Sequence, residues 1–393
     1  MNKLTLRDLV LKGKVVLMRA DFNVPQDKEL NITDDKRIRA TLPTIKYILE
    51  NGAKKLILIS HLGRPDGKVV EKYSLKPVSL RLKELLGEDV LFLDDCVGAN
   101  IKDSVQKAKE RIILLENLRF HPQEEANDAN FSKELASLGE VFVNDAFGTA
   151  HRAHASTEGV THFLKSAAGF LLEKEIEYLG RVITNPPKPF MVILGGAKVS
   201  DKIAMIENLL PKADAFIIGG GMAYTFLKAL GKSIGNSKLE KERIDLAKSI
   251  LQQAKEQGKD ILLPVDNIVV ELIDANAKSE LVGEDIPDGK IAVDVGPKTV
   301  ELFNAKLKKA KTIVWNGPLG IFEMDAFANG TKEVAKFISG LDCTSIIGGG
   351  DTAAAIAKFR LEDKMTHIST GGGASLEYLE GKTLPGVAAL TDK

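Results

Sequence analysis

The chain has 393 residues, 44% hydrophobic and 27% charged, a composition that excludes a disordered protein and a length that exceeds one ordinary core, so two domains are expected. Lys+Arg and Asp+Glu are both 54, so the formal net charge is zero and the chain-wide basic excess of a nucleic-acid binder is absent. The two cysteines, Cys96 and Cys343, lack disulfide or metal-ligand spacing, no apolar run reaches membrane-spanning length, and the polar opening does not read as a signal peptide; no nucleic acid or membrane partner is expected, and the expected compartment is the cytoplasm.

Short β-branched and leucine-rich runs alternate with helical stretches, the pattern of an α/β fold whose parallel sheets carry helices on both faces. The first half shows expected strands at Val15–Arg19, Lys55–Ser60, Val90–Leu93, Ile112–Glu116 and Val141–Asn144, with a helical stretch over Arg37–Leu49. Leu171–Ile183 has apolar positions at helical spacing and is stopped by Asn185-Pro186-Pro187. It reads as a helix joining two Rossmann-like lobes, with a plain packing helix in one continuous domain as the alternative. The second half shows expected strands at Phe190–Leu194, Ala215–Ile218, Ile261–Pro264, Thr312–Trp315, Ser345–Ile347 and His367–Ser369. The expected limits are 1–170 for the first domain, 171–186 for the connecting helix and hinge, and 187–379 for the second domain.

Ligands of open parallel sheets bind outside the carboxyl ends of the strands, so the residues following each strand are the informative ones. In the first half they are polar and basic: Asp21 and Asn23 after strand one, His61 and Arg64 after strand two, Arg119 after strand four, and His151, Arg152 and His154 after strand five. Arg64, Arg119 and Arg152 recur at equivalent positions, and Arg37 begins its helical stretch. A single arginine is best explained by a surface ion pair. Three at equivalent ends, with Arg37, point to a small anion gripped by planar donor forks.

The second half ends its strands in glycine: Gly195-Gly196, Gly219-Gly220-Gly221, Asn316-Gly317-Pro318, Gly348-Gly349-Gly350 and Gly371-Gly372-Gly373. Glycine lets backbone approach a phosphate or base closely, and helix N-termini offer free N–H groups. Five such ends exceed what tight turns require, so a nucleotide cleft is expected. Lys198 and Lys202 are four apart and, on a helix, share a face. They reach a phosphate chain or form an ordinary solvated face. Asp351 follows three glycines at a helix start, where a carboxylate caps the helix or holds Mg2+ on a nucleotide.

A P-loop is missing, because Phe226 stands where the glycine before Leu230-Gly231-Lys232-Ser233 is required. The spaced dinucleotide fingerprint, the nucleophile elbow and the H-E-x-x-H motif are also missing. His61, His151 and His154 read more readily as anion contacts or structural hydrogen bonders than as bases. A phosphoryl transfer whose acceptor is a carboxylate needs no general base and rests on positioning and charge neutralisation. The rival readings are a Rossmann-type dehydrogenase and a non-catalytic nucleotide-binding protein.

These residues resemble the phosphoglycerate kinase family along essentially the whole chain. The motifs are Arg19–Pro25, Arg37, Ser60–Gly67, Leu115–His121, Val143–His154, Leu194–Lys202, Ile218–Thr225, Val314–Phe322, Gly348–Thr352 and Ser369–Ala374. The resemblance implies a reversible, Mg2+-dependent transfer in glycolysis: 1,3-bisphosphoglycerate and ADP give 3-phosphoglycerate and ATP. It implies that Asp21 and Asn23 hold the glycerate end, that His61, Arg64, Arg119 and Arg152 take the non-transferring phosphate, and that Arg37 stabilises the phosphoryl group in flight. Lys198 and Lys202 would neutralise the nucleotide phosphates, and Asp351 would hold Mg2+, with Thr352, Ala353 and the helix after Gly371–Gly373 at the phosphates. Gly220, Asn316, Gly317, Leu319 and Glu323 would line the adenosine pocket, Glu323 accepting from ribose hydroxyls. Arg37, Lys198, Gly350 and Gly373 are the expected catalytic residues. Many family members carry glycine where this chain has Ala292, a position counted with the nucleotide contacts, so a slight change in nucleotide affinity is expected. A monomer is expected, closing its lobes around both substrates, with the tail at about 380–393 packed on the first domain.

Overall fold

The structure is a computed structural model and describes residues 2–393. Its contacts divide the chain into two compact units: one ends at Glu177 and takes in Thr383–Lys393, the other is Tyr178–Lys382. The division falls inside the helix Phe170–Thr184.

The first unit is built on β1 (Val15–Arg19), β2 (Lys55–Ile59), β3 (Val90–Leu93), β4 (Ile112–Leu115), β5 (Val141–Asn144) and β6 (Ser166–Ala168). They form one parallel sheet in the order β3-β4-β2-β1-β5-β6. Side chains alternate across a strand, so each strand feeds two cores. Val16, Met18, Leu56 and Leu58 enter one buried cluster, while Leu17, Ile57 and Ile59 enter the other. The C-terminal residues complete this unit: Leu4 N donates to Thr391 O at 2.8 Å and Asn144 Nδ2 to Gly386 O at 3.0 Å.

The second unit carries β7 (Phe190–Leu194), β8 (Ala215–Ile218), β9 (Asp260–Leu262), β10 (Asn267–Val270), β11 (Glu280–Val282), β12 (Ile291–Val295), β13 (Thr312–Asn316), β14 (Thr344–Gly348) and β15 (His367–Ile368). Six of them form a parallel sheet in the order β15-β14-β13-β7-β8-β9. The strand order reverses direction between β7 and β13, which places a topological switch point there. Met191, Ile193, Ile313 and Trp315 bury one face of the central pair in a shared cluster.

The α/β reading with two parallel sheets is what the structure has. Four strands escaped it. β6 is three small residues, and β10, β11 and β12 make an antiparallel sheet in the order β11-β10-β12. Several strand ends also shift by one or two residues, β9, β13, β14 and β15 among them. β2 and β4 stop one residue early because Ser60 and Glu116 turn their oxygens to loops, accepting from Phe22 N and Leu75 N. Pro264 has no N–H to donate and lies outside β9. No helix among the described residues is long and apolar enough to cross a membrane.

Candidate active site

The carboxyl ends of β1, β2, β4 and β5 present the first cluster. Arg37 sits in the first turn of the helix Lys36–Glu50, and its Nη1 donates to Asp21 Oδ2 at 2.8 Å. Asn23 Oδ1 accepts from Gly63 N at 2.9 Å, tying the loops after β1 and β2 together. Arg119 is 5% exposed and donates from Nη1 to Gly63 O at 3.0 Å. Its Nε lies 3.2 Å from Glu125 Oε1 but out of hydrogen-bond alignment, so this buried N–H has no acceptor. Arg152 Nη1 is 4.0 Å from the same Glu125 oxygen. Arg64 is exposed.

His61 is buried, and its imidazole is held well below the usual histidine range by burial and by the charges of Arg19, Arg119 and Arg37 and by His154. His61 therefore lies within electrostatic range of all three guanidinium groups. Arg19 Nη2 lies 3.2 Å from His61 Nδ1. Arginine only donates, so Nδ1 accepts and the proton of the neutral ring is on Nε2, which makes Nε2–H a donor. His154 is lowered to about 3, by burial first and then by Arg119, Arg19 and Arg152. Neither ring is protonated near neutral pH, so neither adds a positive charge of its own.

Arg19 itself carries no role in the sequence reading, although it ends the apolar run of β1. It is fully buried, and burial lowers it to about 10. Its Nε donates to Ser156 Oγ at 2.8 Å, and Ser156 Oγ donates to the buried Glu124 at 2.5 Å. The arginine terminating an otherwise apolar strand was the available signal; its burial was not legible.

In the second unit the switch point is lined by glycine for a steric reason. A Cβ on Gly195 would lie 2.1 Å from Pro318 O, and one on Gly317 would lie 2.2 Å from Gly195 O. Gly195 N donates to Asn316 O and Gly196 N to Pro318 O, so the turns after β7 and β13 are bonded together. Gly220 N donates to Leu319 O at 3.0 Å, and Leu319 is buried. Thr352 Oγ1 accepts from Gly317 N at 2.7 Å. Gly350 opens the helix Gly350–Lys358, which also carries Thr352 and Ala353, and Gly373 opens the helix Gly373–Leu379. A Cβ on Gly350 would meet nothing within 4 Å, so the protein's own packing does not require glycine there.

Two local readings are corrected. Lys198 and Lys202 do not share a helix face. Lys198 precedes any helix, and Lys202 is the N-cap of Ile203–Leu209. The intervening amides of Val199 and Ser200 donate to the carboxylate of Glu240 instead of entering a helix. Asp351 does not cap its helix: the N-cap is Gly349, and Asp351 lies exposed in the first turn with no side-chain capping bond. Its oxygens are thus available for a cation. Lys202 donates from Nζ to Asn316 Oδ1 at 2.5 Å; burial lowers its ammonium, against the pull of Asp201, Asp351 and Glu380. Glu323 is exposed, and its carbonyl accepts from Lys358 Nζ at 3.0 Å. Ala292 lies in β12, packs against the cluster of Tyr224, Leu227 and Ile234, and donates its N–H to Ser237 Oγ.

Known proteins match this architecture over their full length. The family model described as phosphoglycerate kinase matches residues 6–382. A phosphoglycerate kinase of Koribacter versatilis is 57% identical over 404 residues, covering 100% of both chains. One of Thermosipho africanus is 55% identical, covering 100% of this chain and 99% of that one. A solved phosphoglycerate kinase from Coxiella burnetii superposes with a TM-score of 0.90 at 43% identity, covering 98% of each chain. One from Pyrococcus horikoshii gives 0.84 at 34% identity, with the same coverage. With two six-stranded parallel sheets, arginine ends on one and glycine ends on the other, the chain belongs to the phosphoglycerate kinase family.

Proposed function

We propose that the chain transfers the acyl phosphate of 1,3-bisphosphoglycerate to ADP, reversibly and with Mg2+, giving 3-phosphoglycerate and ATP as a step of glycolysis. The observation that carries this reading is the cluster of Arg37, Arg119 and neutral His61 with a buried, unaccepted N–H at Arg119, donors that fit a dense anion. Arg119, Arg152, Arg64 and the Nε2–H of His61 hold the phosphate that stays on the glycerate. Asp21 and Asn23 orient the glycerate end. Arg37 faces the charge that spreads over the phosphoryl oxygens in flight.

In the forward step the bond between the acyl oxygen and phosphorus breaks as a bond forms to a terminal oxygen of ADP. The leaving group departs as a carboxylate, so no proton has to move and no base is needed. Catalysis then rests on alignment and on fixed positive charge. Lys198 and Lys202 supply that charge from the nucleotide side, and the helices opening at Gly350 and Gly373 direct backbone N–H groups outward. Exposed and free of a capping bond, Asp351 fits a hard cation that keeps most of its other oxygens from water and phosphate. Bound Mg2+ would neutralise nucleotide phosphate charge there.

Both sets of residues have to meet one phosphoryl group, and we assign that movement to closure about the helix Phe170–Thr184. Small-angle scattering with both substrates bound is expected to show a smaller radius of gyration than the free protein; an unchanged value argues against closure. The deciding experiment for the reaction is ATP formation from 1,3-bisphosphoglycerate and Mg-ADP, with Arg37→Ala as control. Protein that binds ADP and yet makes no ATP would leave only a nucleotide-binding role.

A further inference from the structure

The stretch from Gly195 to Lys202 runs from β7 to the helix Ile203–Leu209 without a helical residue. Backbone donors in such a stretch need partners from elsewhere. Glu240, 41 residues from Val199, supplies them: its Oε2 accepts from Val199 N at 2.5 Å and from Ser200 N at 3.2 Å, and its Oε1 accepts from Ser200 Oγ at 2.7 Å. Two consecutive N–H groups converging on one carboxylate form the kind of concave nest that otherwise takes a free anion.

The carboxylate is fixed from behind. Glu240 N donates to Oγ1 of Thr225, which is buried in the helix Ala223–Ala229 just after Gly219-Gly220-Gly221. On the opposite side, Lys202 holds Asn316. The lysine-bearing turn is thus fastened to the end of β13 and to the helix that follows β8. Burial pushes the Glu240 carboxyl up, but the hydrogen bonds from Ser200 and Val199 and the charge of Lys198 outweigh it and hold the group below its ordinary value. Lys198 is exposed and immediately precedes the clasped amides, so its backbone has little freedom left.

We infer that Glu240 is a positioning residue for phosphoryl transfer, filling the amide nest at Val199–Ser200 and so setting where the Lys198 ammonium stands. The inference rests on the transfer reaction proposed above. It also means that phosphate oxygens meet this turn through its ammonium groups and not through those two amides.

The test uses the full chain and four proteins: wild type, Glu240→Ala, Lys198→Ala and the double variant. In ATP formation Glu240→Ala is expected to lower kcat about 30-fold, the scale of a small misplacement of a reacting-group contact, with KM for 1,3-bisphosphoglycerate within about twofold. On the Lys198→Ala background the same change should cost less than about threefold, because the two act through one group. Glu240→Gln, which keeps one acceptor, should recover part of the loss. Losses that multiply in full, or activity that falls only in step with the folded fraction, overturn the inference. Amide exchange at Val199 and Ser200 gives a readout that needs no activity: Glu240→Ala should accelerate it at least about tenfold. Unchanged exchange overturns the clasp even if the wild type transferred no phosphate, while a wild type that makes no ATP but shows the acceleration sinks the reaction alone. Should Glu240→Ala fail to fold, Ser200→Ala removes the hydroxyl bond and should lower kcat about threefold; no change there counts against the inference.

Discussion

Under the proposed reaction, the two units prepare for anions in opposite ways. The first presents side-chain donors: Arg37 braced by Asp21, Arg119 by Gly63 O, and neutral His61 by the buried Arg19. The second presents mainly backbone, with Gly195 and Gly317 too close to opposing carbonyls to carry a side chain and two lysines standing at the edge of the turn. Guanidinium forks select the shape of a small dense anion, whereas bare backbone and helix N-termini accept any group that can come close. One face is therefore dismantled by deleting a side chain, and the other by adding one.

The contrast can be broken first at Arg37. Arg37→Ala should lower kcat about 1,000-fold with a much smaller change in substrate KM, because its charge acts chiefly in the transition state. Steady-state ATP formation measures this, and an unchanged kcat removes Arg37 from the chemistry. Lys198→Ala should lower kcat about 100-fold from the nucleotide side, in the same assay. Arg64→Ala is the counterpart that only grips: KM for the glycerate substrate should rise about 20-fold while kcat stays within about twofold. A large fall in kcat there would mean that gripping and chemistry are not separable in the first unit.

A subtler difference lies in buried carboxylates. Asp145 in the first unit is raised to about 6 by burial that outweighs hydrogen bonds from Thr44 and the backbone, and Asp294 in the second to about 7 by burial that outweighs backbone hydrogen bonds. A raised folded value means that the native state keeps a proton that the unfolded chain releases. Stability from this source is therefore present at low pH and lost as pH rises, from near 4 to about 6 for Asp145 and to about 7 for Asp294. Trp315, the single tryptophan, is buried in the second unit, so its fluorescence in urea reports that unit. Asp294→Asn should remove a downward slope of at most about 1.4 kcal/mol per pH unit between pH 5 and 7. Asp145→Asn should leave the tryptophan-reported slope unaltered.

Legibility followed the range of the interactions. β1, β5, β7 and β8 lie where their apolar runs put them, because each has at least four buried residues closed by a polar or glycine turn, and β3 follows its apolar run although its side chains are only half-buried. Ser166–Ala168 has no such run and is a strand only through its pairing with β5. Glu280–Val282 exposes two of its three side chains, so nothing in its pattern distinguishes it from a loop. Site residue types could be read at the strand ends, but their partners could not. That Lys198 leaves the helix depends on Glu240, and the state of His61 depends on Arg19, each about forty residues distant and joined only by the folded chain.

The last residues, Thr383–Lys393, belong to the first unit, so the second is an uninterrupted stretch placed within the first. On the ribosome this reverses the usual order of completion. The second unit has all its residues once Lys382 has emerged, whereas the first still lacks the chain that gives Leu4 its partner at Thr391 and Asn144 its partner at Gly386. A chain cut after Lys382 would therefore deliver a finished glycine-lined half and an unsealed arginine half, a cut beyond the second unit felt in the first.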